Sequence, residues 1–341
     1  MAANLHAAGF HLVACDASPS ARAALAERVG SCAASSLTFA PTPGALAAAT
    51  PGGLAAVFTS LPSVAAVRTV WLGEHGLLAG PEPPPAPVLV DLSTSGPATA
   101  AALAAAAAAH PARPATLDAP VSGGVTAAAA GTLTFLVGGG PDAAVDAVSP
   151  FLAAMGAATL RVGPQPGAGQ AAKLANNLAL AVQMAGLCEA LAFGCAALPG
   201  LDPARLLAAL NASSGRCWSG VAYPPLPGAR AEKGGGAVPA TDGRYTGGFA
   251  ARLMLKDLEL AAGAAAAAGG AVAGAGVPGG AATPPAASAS ASATLASLPM
   301  ATAARALYAR LAAEKGEDID FSGLYPFVYG GLGVGGGGGG R

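Results

Sequence analysis

Charge is scarce in this sequence. Of its 341 residues only 10% are charged, 17 Lys and Arg against 18 Asp and Glu, for a formal net charge of −1. Phosphate backbones are held by basic faces, so the balance argues against a nucleic-acid partner. Cysteine is also sparse. The five present (Cys15, Cys32, Cys188, Cys195, Cys217) are odd in number and form no C-x-x-C pair. That suits buried or free thiols in a reducing compartment, and neither a disulfide framework nor a metal site is expected. Long Leu/Ile/Phe-rich runs are missing too. Hydrophobic content is 53% and mean hydropathy +0.53, but alanine inflates both, and the apolar stretches are Ala/Gly runs broken by Pro, His or Ser. They fall short of ~20 strongly apolar residues, so no membrane-spanning helix and no membrane partner is expected. No signal peptide and no basic, serine-rich leader precedes the first element. The length suffices for two domains and a sizeable core.

What is present is an alternation of helices and short apolar strands. Residues 1–9 read as a helix already under way, stopped by a glycine. Residues 10–16 form a buried strand ending in Asp16, followed by a helix over 20–29. In a dinucleotide-binding unit the acid that closes the second strand receives the adenosine ribose hydroxyls. Asp before Ser-Pro is equally ordinary turn chemistry. A strand over 54–60 runs into Leu61-Pro62 and a helix over 64–71. Another strand, from Val88, ends in Ser93-Thr94 before Pro97 opens an alanine helix. This alternation predicts a parallel sheet whose ligands gather at the strands' carboxyl ends, where Leu61, Pro62, Ser93 and Thr94 fall. Asp118-Ala119-Pro120-Val121-Ser122-Gly123-Gly124 follows. A strand entering Ser-Gly-Gly leaves consecutive N–H groups able to curl around an anion, although an ordinary glycine turn explains the same residues. A further strand spans 131–140, and Pro141 starts a helix to Met155.

After Gly167-Ala168-Gly169, residues 170–194 contain no proline and read as one long helix. At ~3.6 residues per turn Lys173 and Asn177 share a face, with Asn176 beside them. One reading is a lysine snorkelling from a solvated face beside a packing defect. The other is a polar spot that a ligand satisfies. Beyond it, Asp202-Pro203 caps a helix up to Asn211, and Arg216 and Trp218 in the next loop could stack at a domain corner. Residues 223–248 are a Pro/Gly-rich loop, and the helix over 249–260 carries Lys256-Asp257, readable as a solvated ion pair. Residues 261–297 look like a flexible low-complexity insertion without a fold of its own, and the glycine tail 331–341 reads as disordered. The expected division is an α/β, Rossmann-like domain over 1–164 and an all-helical domain over 165–330.

Taken in order, Asp91-Leu92-Ser93-Thr94, the Asp118 to Gly124 run, Gly131-Thr132-Leu133, G-x-G-x-x-x-K-x-x-N-N and Lys256-Asp257-Leu258 resemble the β-hydroxyacid dehydrogenase family. Ser213-Ser214-Gly215-Arg216-Cys217-Trp218, Tyr223, Gly247-Gly248-Phe249 and Asp320-Phe321-Ser322 are similar to its 3-hydroxyisobutyrate branch. The resemblance implies that Lys173 is the catalytic lysine. It implies that Ser122, Gly123, Gly124 and Asn177 hold a small hydroxy-acid substrate. Leu61, Pro62 and Thr94 would line the nicotinamide side, Lys256 would close over the cofactor, and Asp16 stands where NAD-using members keep an acid. The activity implied is oxidation of 3-hydroxyisobutyrate to methylmalonate semialdehyde with NAD as cofactor, in a mitochondrial homo-oligomer. Two departures stand out. The family's first strand and G-x-G-x-x-G loop, normally just upstream of such a segment, are not in the sequence, which reads as a truncated or misassigned start. An Asn that often follows the Leu-Pro turn is Ala66 here. Two rivals remain: an NADPH-dependent reductase of glyoxylate, succinic semialdehyde or tartronate semialdehyde, and a cofactor-free binding or oligomerisation protein.

Overall fold

The structure is a computed structural model, and it describes residues 1–30, 36–49, 53–79, 86–231, 238–274 and 298–329. The chain divides into two compact units, Met1–Leu174 and Ala175–Arg341.

The first unit is α/β. Helix α1 (Ala2–Ala7) leads through Gly9, at φ 88°, into strand β1 (Leu12–Ala14). Helix α2 (Pro19–Val29) follows, started by Ser18, whose side chain caps the amide of Ala21, and by proline in its first turn. Strand β2 (Leu37–Phe39) pairs parallel to β1, and the two form a sheet of their own. The larger sheet begins with β3 (Val57–Thr59), β4 (Val88–Asp91) and β5 (Ala115–Asp118), all parallel. Helices α3 (Val64–Leu72) and α4 (Pro97–Ala109) connect them. Strand β6 (Val121–Ser122), helix α5 (Gly124–Ala130), strand β7 (Leu133–Gly138), helix α6 (Asp142–Met155) and strand β8 (Gly156–Gly163) complete the unit.

Side chains alternate across β3 and β4, so these two strands serve two cores. Leu89 packs with Val57, Val67, Trp71 and Leu103 on one face, under α3 and α4. Val88 and Val90 pack with Leu117, Phe135, Val137, Val148 and Leu152 on the other, under α6. The small sheet joins the same layers. Phe151 of α6 lies 4.7 Å from the ring of Phe10, just before β1, and 5.7 Å from Phe58 on β3.

The sheet is mixed, which corrects the all-parallel expectation. Strand β7 runs antiparallel to β6 and, at Asp118↔Gly138, to β5, while β8 is parallel to β7. The hairpin arises because Gly123, Gly124 and Gly131 adopt positive φ and let a single short helix reverse the chain. Strands β2 and β8 were not anticipated from the sequence.

Helix α7 (Ala168–Ala197) runs from the first unit into the second. The second unit is helical: α8 (Pro203–Ala212), α9 (Trp218–Val221), α10 (Ala251–Gly274), α11 (Pro299–Lys315) and α12 (Leu324–Tyr329). Met184, Cys188 and Leu191 of α7, Met254 and Leu258 of α10, and Tyr308 and Leu311 of α11 share one core with Phe321. Asp320 is fully buried there. It accepts hydrogen bonds from Tyr223 Oη, the Phe249 amide, and the Ser322 amide and hydroxyl. Burial still holds its carboxyl above the ordinary aspartate range, the four donors pulling the other way.

Two expectations are corrected here. Residues 261–274 continue α10 as helix. Alanine has the highest helix propensity of any residue, and α10 has Met254, Leu258 and Ala261 packed in the core to extend from. Residues 275–297 and the tail 330–341 lie outside the described residues. Trp218 stacks on Tyr223, with centroids 5.5 Å apart and rings 17° from parallel, and not on Arg216. Helix α7 is long and apolar enough to cross a membrane by length and composition, but its Met184, Cys188 and Leu191 are fully buried in the helical core, as in a core helix.

Candidate functional site

The first unit places Leu61, Pro62 and Thr94 at the carboxyl ends of β3 and β4. Asp91 closes β4 and is 2% exposed. Its Oδ1 accepts from Thr59 Oγ1 at 2.9 Å and from the Ser93 amide at 3.1 Å, and its Oδ2 accepts from Ser95 Oγ at 2.9 Å. Trp71 Nε1 donates to the same Thr59 hydroxyl at 3.0 Å. The Leu61 amide donates to Ser93 Oγ at 2.9 Å, which ties the turn after β3, with Pro62, to the turn carrying Thr94. Both candidate nicotinamide-side turns are therefore built on one buried carboxylate. Burial raises its pKa, and the surrounding donors partly offset that.

Asp118 closes β5 and plays the corresponding part for α7. Its Oδ1 accepts from the Gly167 amide at 2.8 Å and its Oδ2 from the Gln170 amide at 2.9 Å. A helix's first amides have no intrahelical partner, and a residue preceding the helix usually supplies a side-chain cap. Gly167 has no side chain, so Asp118 caps the helix from a strand 49 residues away in sequence. The two glycines of the G-x-G motif have separate reasons. Gly167 adopts φ 93° with Pro97 against it, whereas a Cβ on Gly169 would strike the backbone oxygens of Leu136 and Asp118. The helix start is pressed onto the sheet end.

Lys173 lies one turn into α7 and is 8% exposed. The snorkelling reading therefore fails, because a solvated-face lysine keeps its ammonium in water. Ser122 closes β6 opposite Thr134 of β7. Gly123 and Gly124 follow at φ 136° and 67° as α5 begins, and a Cβ on Gly123 would strike Ala127. The Ser-Gly-Gly corner is thus a strand-to-helix turn that only glycine fits. Asp16 stands apart on the small sheet, two residues past β1, exposed, with one carboxylate oxygen accepting from the Ser18 amide at 2.8 Å. It makes the turn after β1.

In the second unit Asn177 is 1% exposed. Its Nδ2 donates to Asp257 Oδ2 in a short hydrogen bond, and its Oδ1 accepts from Asn176 Nδ2 at 3.0 Å. Lys256 Nζ lies 2.8 Å from Asp257 Oδ1, with side chains 25% and 3% exposed. The Lys256-Asp257 pair is thus a largely buried one on α10 that also orients Asn177, which corrects the solvated ion pair expected from sequence. Among the described residues no group of three His, Cys, Asp or Glu could hold a metal ion.

Sequence reasoning passed over Asp91, Asp118, Gln170 and Asp257 as functional residues. The signal for the first two was an acid at the last position of an apolar strand, two to four residues ahead of hydroxyls or glycines. For Asp257 the only signal was a polar residue adjoining a candidate lysine, and for Gln170 a polar residue three positions before one.

The comparisons bear on this arrangement. Residues 1–163 match the NAD binding domain of 6-phosphogluconate dehydrogenase, and residues 167–279 match the NAD-binding region of NADP-dependent 3-hydroxyisobutyrate dehydrogenase. A probable mitochondrial 3-hydroxyisobutyrate dehydrogenase of Arabidopsis thaliana is 39% identical over 283 residues, covering 81% of this chain and 71% of that one. The chain belongs to the 3-hydroxyisobutyrate dehydrogenase family. An NAD-dependent L-serine dehydrogenase of Pseudomonas aeruginosa is 37% identical over 270 residues, 79% of this chain and 77% of that one. The Mycobacterium tuberculosis 3-hydroxyisobutyrate dehydrogenase, solved with L-serine, superposes with a TM-score of 0.70 at 31% identity. It covers 96% of this chain and 93% of that one. As a family member the protein is a dehydrogenase acting on CH–OH with a nicotinamide dinucleotide. Relatives named mitochondrial occur in eukaryotes, and bacterial relatives are comparably similar. The side chains at these strand ends are held by bonds within the protein, the Leu61 amide to Ser93 Oγ and the Ser18 amide to Asp16 Oδ1.

Proposed function

We propose that the protein oxidises 3-hydroxyisobutyrate to methylmalonate semialdehyde with NAD⁺, as a step of valine catabolism in a mitochondrial homo-oligomer with no nucleic-acid or membrane partner. The observation that carries this reading is the burial of Lys173 one turn into a helix capped by Asp118. An amine held away from bulk water on an alanine-rich helix can bond a hydroxyl that is about to lose its proton. NAD⁺, when bound, takes the hydride from the carbinol carbon. Lys173 bonds the reacting hydroxyl and either receives its proton or, as a cation, stabilises the developing alkoxide. The Ser122-Gly123-Gly124 turn offers backbone amides and a hydroxyl to the substrate carboxylate. Asn177, already oriented by Asp257, is assigned to the same class of contact, and Lys256 to the cofactor. Leu61, Pro62 and Thr94 line the nicotinamide side. Asp16 supports NAD over NADP, since an acid repels a 2′-phosphate.

A second substrate reading has its own support. L-serine is also a β-hydroxy acid, and one relative is an L-serine dehydrogenase. The comparisons do not favour the NADPH-dependent semialdehyde reductase or the cofactor-free protein. Initial rates on 3-hydroxyisobutyrate, L-serine and glyoxylate, each with NAD and NADP, decide among them. The expected order has 3-hydroxyisobutyrate with NAD first in kcat/KM. A higher kcat/KM on L-serine transfers the substrate assignment, and a preference for NADP removes the role given to Asp16.

A further inference from the structure

One side chain at the candidate site takes no part in the proposed chemistry yet joins the turn carrying Thr94 to the helix carrying Lys173. Gln170 is fully buried, and its carboxamide is bonded at both ends. Oε1 accepts from the Ser95 amide at 2.9 Å and the Gly96 amide at 3.0 Å, and Nε2 donates to the Ser93 carbonyl at 2.8 Å. These bonds bracket Thr94. Lys173 follows Gln170 by three residues, on the same face at ~3.6 residues per turn. The backbone of Gln170 is itself anchored, its amide donating to Asp118 Oδ2.

We propose that Gln170 is a positioning residue that locks the turn carrying Thr94 to the helical turn carrying Lys173, fixing the spacing between the nicotinamide side and the catalytic amine. The inference rests on the roles proposed above for Thr94 and Lys173. The bonding pattern needs two acceptor positions and one donor in a single planar group, which a primary carboxamide provides. A group that merely fills the space would be replaceable by an apolar side chain of similar volume.

Two substitutions separate these cases. In Gln170→Glu the carboxylate keeps an acceptor for Ser95 and Gly96 but turns its other oxygen on the Ser93 carbonyl. Protonation restores a donor. The ionisable groups around the position are Asp91, bonded to the Ser93 amide and Ser95 hydroxyl, Asp118, bonded to the Gln170 amide, and Lys173 one turn on. Burial and the two carboxylates push the introduced carboxyl's pKa up, Lys173 pulls it down, and desolvation of the site lets the first effect dominate. At pH 8, kcat/KM of Gln170→Glu on 3-hydroxyisobutyrate is expected to fall by about ten- to a hundredfold. Its ratio to wild type should climb back as pH is lowered. Gln170→Met should stay low at every pH. A pH-independent ratio for Gln170→Glu, or a Gln170→Met variant within twofold of wild type, overturns the proposal.

Amide hydrogen exchange reads the clamp without turnover. In Gln170→Met the Ser95 and Gly96 amides should exchange faster while the middle of α4 stays protected, and unchanged exchange at those two amides overturns the clamp. If exchange responds as expected but the wild-type chain turns over no β-hydroxy acid, the clamp stands and the function proposed above falls.

Discussion

Replacing Asp118 by alanine removes the cap that fastens α7 to the sheet. The carboxylate is 4% exposed and accepts from two amides, Gly167 at 2.8 Å and Gln170 at 2.9 Å. Each amide left unpaired costs about 1–3 kcal/mol, and the loss of a negative charge at a helix N-terminus adds about 0.3–2 kcal/mol. Against this, alanine no longer needs the desolvation that raises the Asp118 pKa. The net expectation is a loss of about 2–4 kcal/mol, a large part of the 5–15 kcal/mol typical of a domain. Asp118→Asn retains one acceptor oxygen and should lose about half as much. The chain has two tryptophans. Trp71 is 1% exposed in the first unit, whereas Trp218 is 51% exposed, so the red shift of fluorescence on urea unfolding reports mainly on the first unit. A midpoint for Asp118→Ala within 0.5 kcal/mol of wild type, with ~0.5 being what unremarkable surface changes produce, would refute the capping argument. An asparagine variant no better than alanine would refute the acceptor count.

Two further changes test the same framework. Gly169→Ala forces a methyl against the backbone oxygens of Leu136 and Asp118, neither of which can rotate away. It should cost ~3 kcal/mol or more, read as lost soluble yield or a large drop in Tm, and a variant with wild-type Tm would show that the helix start is not pressed onto the sheet. Asp320 provides a pH test. Its folded-state pKa is raised above the ordinary 3.8, so the folded state binds the proton more tightly than the unfolded state. That contribution to stability is fully present below 3.8 and is lost as pH rises through the folded-state value. The Tm difference between wild type and Asp320→Asn, which lacks this titration, should therefore shift in favour of wild type on acidification from pH 7 toward 4. A shift the other way contradicts the burial argument.

The sequence was most legible where structure is local. Pro97, Pro141 and Asp202 with Pro203 mark helix starts by their own chemistry, and α4, α6 and α8 begin where those signals put them. Strand β8 was not legible. It follows α6 without a turn residue except Gly156, and its pairing with β7 depends on that glycine fitting against the Leu133 carbonyl and the Phe135 ring. The antiparallel course of β7 was equally hidden, because alternation of strands and helices does not record a seven-residue helix acting as a hairpin connection. At the site, spacing along one helix showed Lys173 and Asn177 together. The bonds that hold the site, Gln170 to Ser95 and Asp118 to Gly167, join residues 75 and 49 positions apart. No periodicity encodes such pairs.

The most direct test of the whole account is Lys173→Ala, assayed for 3-hydroxyisobutyrate oxidation alongside NADH binding by fluorescence. The account predicts a fall in kcat of about a thousandfold or more with a nearly unchanged dissociation constant for NADH. A variant that keeps more than about a tenth of the wild-type rate would contradict it, since neither a proton acceptor nor an alkoxide-stabilising cation can be removed at so small a cost.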